Sequence, residues 1–446
     1  MHLGVHLGVA SLRVNLRVRN LIQVAAPLPH TLETLIAAVT EQCHSIVASG
    51  AASGTAAEDL LAALDALGTA HELLLKASGA RRHSGSHYTP GALCDLVIEH
   101  TIAPLLTDSS QPLTSRRLLA LRVCDPAMGT GAFLLRCCQF LAERLVNAWQ
   151  LENAPELKPS RGLAPISLAR RAIAQHCIHG VDRSPSAVEL ARVSMTLFTH
   201  TPELPPLGFT ENLRCGDALV GSVLAESTKT KKGAATDPPG QPFHWSREFP
   251  QVFSKDGFDA IIGNPPWIAY AGRAAQPIEP ALARYYKATS PAFAGYRTLH
   301  GLFVYRAGQL LKRGGRLGLV VPTSIVDLDG YRPTRDALET LCTVDSPLLD
   351  FGDGQFPGVF QPCVALCATR QTKPDTTASS IWTLTRNDLQ PEASALLNRL
   401  AALPLLPPEL FGERGFQSTA ADRAQMRRQA QARAGFTVPL REGSDL

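Results

Sequence analysis

The sequence predicts an α/β protein built on a doubly wound, mostly parallel sheet. Three observations lead there. From about residue 117 onward, short apolar runs alternate with helical stretches, as in repeated strand–helix units. Two of these runs end in a carboxylate, Asp125 and Asp182, where a sheet of this kind takes its ligand: at the carboxyl ends of the strands. Hydrophobic residues make up 45% of the 446 and charged residues 18%, enough apolar material to cover both sheet faces and too much for a disordered or fibrous chain.

The elements follow in order. Residues 1–80 read as an N-terminal helical region, with one apolar face through Leu32, Leu35, Ile36 and Val39 and another through Leu60, Leu61, Leu64, Leu67, Leu73 and Leu74. The near-repeats before them read equally as an extended arm or as sequence upstream of the true start, and no function is assigned there. Strands are expected at Arg117–Cys124, Ile178–Asp182, Leu213–Cys215, Phe258–Ile262, Arg316–Val321 and Pro347–Phe351, with Cys363–Thr369 as a closing strand beside the last. Helices are expected at Ala132–Trp149, Ser186–Phe198, Leu302–Lys312 and Thr334–Leu341. Glu226–Gln241 is a polar insertion. Residues 374–446 mix a polar linker, the Pro-rich Leu403–Pro408 and a basic piece around Arg423–Arg433, which reads as a solvated helix face.

A net charge of +4 does not announce a nucleic-acid binder, and it leaves room for a local basic groove. No apolar run approaches the roughly 18 residues of a membrane span, and the N-terminus does not read as a signal peptide. The ten cysteines form no Cys-x-x-Cys pair, which favours reduced thiols in a cytoplasmic protein over disulfides or a zinc site. His176 and His179 have metal-like spacing but no third ligand nearby, so no metal is expected.

Four constellations carry chemistry. In Asp125-Pro-Ala-Met-Gly129-Thr-Gly131, a strand meets a glycine-bearing turn and then a helix start. That geometry presents free N–H groups to an anion. A plain strand-to-helix turn has the same outline, but the carboxylate favours a cationic or hydroxyl-bearing ligand over a pyrophosphate. Asp182, at the end of the next strand and followed by Ser184-Pro185, reads equally as an acceptor for ribose hydroxyls or as an acid favoured at a helix N-terminus. Asp217 reads equally as an acceptor for an adenine amino group or as a turn aspartate. The fourth decides the matter: an apolar strand runs directly into Asn264-Pro265-Pro266-Trp267. The two prolines stiffen the chain, offering the Asn264 amide and the Pro265 carbonyl as fixed acceptors beside an aromatic ring. A planar nucleobase with an exocyclic amine needs that equipment.

The ordered set of His87-Tyr88-Thr89-Pro90, the Asp125 glycine turn, Asp182, Gly216-Asp217 and Asn264-Pro-Pro-Trp267 resembles the gamma-class N6-adenine DNA methyltransferases. The likeness covers about residues 81–373, and the Tyr88-Thr89-Pro90 motif upstream of the glycine turn resembles the arrangement in type IIG restriction–modification enzymes and related phage-defence proteins. It implies a class I, Rossmann-like methyltransferase fold, with S-adenosylmethionine as methyl donor and no metal. By position, Tyr88 and Thr89 would hold the donor's methionine end. Asp125, Gly129 and Gly131 would line its methionine and sulfonium region, Asp182 its ribose and Asp217 its adenine. Asn264, Pro265, Pro266 and Trp267 would form the catalytic loop. Phe356, or failing it Phe360, would stack on the flipped adenine from the other side. The helix beginning Leu299-His300 departs from relatives that carry an acid there.

The implied partner is double-stranded DNA with one adenine flipped out. The resemblance also implies that residues 374–446 are a connector and the start of a target-recognition domain cut short. Base-specific readout would then come from a separate polypeptide or be missing, and any nuclease function would come from a separate polypeptide. Two other readings stay open: a methyltransferase acting on RNA bases or on protein glutamine, and a catalytically weak subunit that binds the donor and DNA. Asp237-Pro238-Pro239 imitates a related catalytic motif but has no strand before it and reads as loop.

Overall fold

The computed structural model describes residues 28–48, 55–77, 87–107, 112–157, 163–201, 204–224, 239–272, 275–356, 359, 361–372 and 382–386. Phe360, Asp237, Pro238, most of the polar insertion, the N-terminal near-repeats and residues 387–446 lie outside the described residues. Chain compactness separates Met1–Asp388 from Leu389–Leu446, and every described residue belongs to the first unit.

The major helices are α1 (Leu28–Ala48), α2 (Thr55–Ala77), α3 (Gly91–Leu106), α4 (Ala132–Glu152), α5 (Pro165–His176), α6 (Pro185–Phe198), α7 (Pro280–Thr289), α8 (Leu299–Leu310) and α9 (Arg332–Glu339). The strands are β1 (Val123–Asp125), β2 (Ile178–Asp182), β3 (Leu213–Cys215), β4 (Phe258–Gly263), β5 (Leu311–Pro322), β6 (Cys342–Val344), β7 (Leu348–Gly352), β8 (Cys363–Arg370) and β9 (Leu384–Arg386). They form one sheet in the order β3-β2-β1-β4-β5-β8-β7-β9, with β6 also paired to β8. The five strands from β3 to β5 run parallel, and β8 runs antiparallel between β5 and β7.

Local chemistry sets the helix starts. Ser184 accepts from the Ala187 N–H at 3.4 Å and Pro185 opens α6, while Thr298 accepts from the Gly301 N–H at 3.2 Å at the start of α8. The central strand β4 is buried along its whole length, as expected of a parallel strand covered on both faces. One core lies under α2, α3, α4 and α6, and a second on the opposite face under α8 and the aromatic residues Phe243, Trp245, Phe249 and Phe258. Residues of α2 share the first core with sheet residues such as Val123 and Ala260, so this N-terminal helix is built into the body of the fold. On β5, Gly318 admits α3 closely: an added Cβ would stand 1.8 Å from the Thr101 hydroxyl oxygen.

The expected strand Arg117–Cys124 needs correction. Ser115–Leu119 is a short helix capped by the Thr114 side chain, and β1 begins only at Val123. The expected closing strand lies beside β7 but is inserted between it and β5.

Candidate active site

The tips of β1, β2 and β4 converge at one end of the sheet. Asp125, 2% exposed at the end of β1, accepts from the Ala127 N–H at 2.9 Å and packs against Gly263 at the end of β4. A Cβ at Gly263 would stand 2.5 Å from Asp125 Oδ1, so only glycine fits there. Burial, with the nearby charge of Asp182, outweighs the Ala127 N–H and pushes the Asp125 carboxyl up to about 8.

The glycine turn is fixed by β2. Met128 donates its N–H to the Val181 carbonyl at 3.0 Å, and Gly129 donates to Asp182 Oδ2 at 2.9 Å. The other Asp182 oxygen accepts from the Ser184 N–H at 2.8 Å. Burial raises the Asp182 pKa above the ordinary carboxylate value, outweighing the opposing effect of these two N–H groups. Gly129 and Gly131 adopt φ of +54° and +94°, which favours glycine and lets the turn enter α4 at once. Asp217 accepts from the Leu219 N–H at 3.0 Å.

Thr89, Asp125, Gly129, Asp182, Asp217, Asn264 and Pro266 line one cleft of about 1150 Å³, open to solvent. Gly131 and Pro265 do not line it: a Cβ added at Gly131 would stand 3.5 Å from the Ala191 Cβ, and Pro265 is buried. Tyr88 reaches the cleft wall, but its hydroxyl turns away and donates to Asp65 of α2. The lining carries four carboxyl groups, Glu72, Asp125, Asp182 and Asp217, of which burial keeps Asp125 protonated below about pH 8, against one guanidinium, Arg183. That balance suits a cationic ligand, and no metal is required to explain it.

Asn264 stands at a junction. Its Nδ2 donates to the Thr89 hydroxyl at 3.2 Å, while its Oδ1 is buried with no hydrogen-bond partner. A buried acceptor with no donor is unfavourable by about 1–3 kcal/mol. Asn264 and His87 line both the large cleft and a smaller hollow, too narrow to admit a water, which they share with Trp267 and Phe356. The indole N–H of Trp267 donates to the Val320 carbonyl of β5 at 3.3 Å, which anchors the ring.

Phe356 meets Trp267 edge-on, with ring centroids 5.2 Å apart and planes at 80°. It is 2% exposed. A base sandwiched between the two rings needs two stacking contacts of roughly 3.5–4.0 Å each, so the rings must part to receive one. His300 points away from the site, 2.8 Å from the Tyr331 hydroxyl through Nε2.

Sequence reasoning missed Gly68, His71, Glu72 and Leu75 of α2, which form one wall of the cleft. Their helix reads as an ordinary apolar face, and nothing in its periodicity points at a ligand. Among the described residues, no group of three or more His, Cys, Asp or Glu is placed to hold a metal, and His179 is buried against Phe249 and Phe258. No helix among them is long and apolar enough to cross a membrane.

A mostly parallel sheet with helices on both faces, one antiparallel strand inserted near its edge and a cleft at its strand tips is the class I S-adenosylmethionine-dependent methyltransferase fold. Residues 176–355 match the model of the Eco57I restriction-modification methylase family. The chain is 24% identical over 282 residues to the type II restriction enzyme and methyltransferase RM.Eco57I of Escherichia coli, covering 60% of this chain and 26% of that one. It is 33% identical over 85 residues to the type II methyltransferase M.TthHB8I of Thermus thermophilus, covering 19% of this chain and 20% of that one. The chain thus spans about a quarter of the length of RM.Eco57I. Among solved structures, a DrdV–DNA complex is similar at 17% identity and a TM-score of 0.48, over 74% of this chain and 30% of that one. A Listeria monocytogenes protein described as a class I S-adenosylmethionine-dependent methyltransferase is similar at 15% identity and a TM-score of 0.46, over 88% and 97%. The likeness to an Eco57I-type restriction-modification methylase domain thus rests on residues 176–355, less than half of the chain.

Proposed function

We propose that this chain transfers a methyl group from S-adenosylmethionine to N6 of an adenine flipped out of double-stranded DNA, within a restriction–modification or phage-defence system. The carrying observation is the buried, unpartnered Asn264 Oδ1 between an acidic cleft and an aromatic hollow. The lining of the large cleft supports this reading: its carboxylates would attract a cation, Asp182 would accept from a ribose, and the first turn of α4 would offer N–H groups to a carboxylate. The hollow, once its rings part, would hold the target base.

The bound donor supplies an electrophilic sulfonium methyl. The chain's own residues make the acceptor nitrogen reactive. An adenine N6 lone pair is delocalised into the ring and attacks poorly. Asn264 Oδ1 accepts one amino hydrogen and the Pro265 carbonyl the other, which favours a tetrahedral nitrogen with its lone pair free. Thr89 fixes the amide by taking its N–H, so Oδ1 cannot rotate away from the base. Trp267, held by Val320, provides the face on which the base rests. Much of the rate would come from this positioning.

The test is transfer of labelled methyl from S-adenosylmethionine to DNA, followed by nucleoside analysis for N6-methyladenine. Parallel RNA and glutamine-bearing protein acceptors should stay unlabelled. Asn264→Ala should lower methylation by at least about 10²–10³-fold and leave donor binding within a few-fold. Label in RNA or protein alone overturns the substrate reading, and retained activity in the variant overturns the role of Asn264.

A further inference from the structure

The unassigned wall of the cleft is α2, and its placement is specific. Asp65 accepts hydrogen bonds from the Tyr88 hydroxyl and from Arg136 of α4, the latter at 2.9 Å. One turn on, Gly68 leaves no room for a side chain: a Cβ would stand 2.0 Å from the Tyr88 ring and 2.8 Å from the Thr130 hydroxyl oxygen. This close approach carries the next turn, with His71 and Glu72, to the cleft. Glu72 Oε2 accepts from the Tyr88 N–H at 3.0 Å, and its Oε1 lies 3.7 Å from His87 Nδ1.

We propose that Glu72 binds the α-ammonium of the donor's amino-acid end. The inference rests on the reading that the cleft holds S-adenosylmethionine. Glu72 is tied to Tyr88, and the adjacent Thr89 holds the Asn264 amide. Its carboxylate therefore lies on the side of the cleft where the methyl is transferred. His71 is 3.4 Å from Ser186, on the side where Asp182 stands. An amino-acid head brings two opposite charges. Its carboxylate suits the first turn of α4, where Ala132 and Phe133 line the cleft. Its ammonium needs a fixed anion. Asp125 is less suited, because it is buried against Gly263 and holds its proton up to about 8 in the ligand-free cleft. Glu72 is held in place by a backbone N–H and keeps more contact with solvent, its side chain 16% exposed.

Calorimetric binding to the full chain separates the possibilities, using S-adenosylhomocysteine and 5′-methylthioadenosine. Both are neutral at sulfur, and only the first carries the amino-acid end. Glu72→Gln keeps an acceptor for the Tyr88 N–H and removes the charge. It should weaken S-adenosylhomocysteine and S-adenosylmethionine by about tenfold or more. Methylthioadenosine binding should stay within about twofold, and Glu72→Asp should recover part of the loss. Equal weakening of all three ligands, or of none, overturns the inference alone. Wild-type protein that binds none of them overturns the donor-site reading and this inference with it.

Discussion

Asp125 makes a test whose sign and size both follow from its surroundings. The residue is 2% exposed at a strand tip, and burial, with Asp182 nearby, moves its pKa from 3.8 to about 8 against the opposing Ala127 N–H. In the unfolded chain the group ionises near its ordinary value. In the ligand-free folded chain it keeps its proton until about pH 8. Between those limits the folded state binds more protons, so the group's contribution to stability falls as pH rises. The penalty grows from under about 2 kcal/mol at pH 5 to about 5 kcal/mol at pH 8. Asp125→Asn preserves the shape and an acceptor for the Ala127 N–H and removes the ionisation. In urea unfolding of the ligand-free protein, the variant should gain on wild type by about 3–4 kcal/mol more at pH 8 than at pH 5. Donor binding should fall at both pH values. A stability difference that stays flat between pH 5 and 8 would refute the reasoning.

Two further substitutions probe how the cleft is held together. Gly263→Ala puts a methyl 2.5 Å from Asp125 Oδ1 at a backbone φ of +153°. It should destabilise by about 1–3 kcal/mol, read by thermal unfolding, and weaken donor binding through displacement of Asp125. Asp65→Ala leaves Arg136, 9% exposed, with only the more exposed Asp95 opposite it, and deprives the Tyr88 hydroxyl of its acceptor. A loss of about 2–4 kcal/mol in denaturant unfolding is expected, with Asp65→Asn milder because it still accepts from Tyr88.

Several elements were legible because their signals are local. Alternating apolar runs and turns located β2 and β3 to the residue, and α6 to within one. Asp125, Asp182, Asp217 and Asn264 were legible as strand-end polar groups, and the sheet brings all four to one cleft. The strand expected from Arg117 was misjudged because the Thr114 cap competes with apolar content, and the cap wins over the first turn. The inserted position of β8 was not legible, since pairing across a sheet is non-local and an apolar strand suits either edge or centre. Tyr88 illustrates a subtler limit. Motif position brings the residue to the cleft, but the direction of its hydroxyl depends on Asp65, 23 residues away on another helix. Glu72 was invisible for the same reason: only the docking of Gly68 against the Tyr88 ring makes that turn of helix a wall.

That wall ties occupancy to architecture. A molecule filling the cleft against α2 adds contacts that exist only while this helix is seated, so ligand affinity and helix docking must reinforce each other by the same factor. Displacement of this helix would empty the cavity without any change at the strand tips, and a tightly held ligand would resist it.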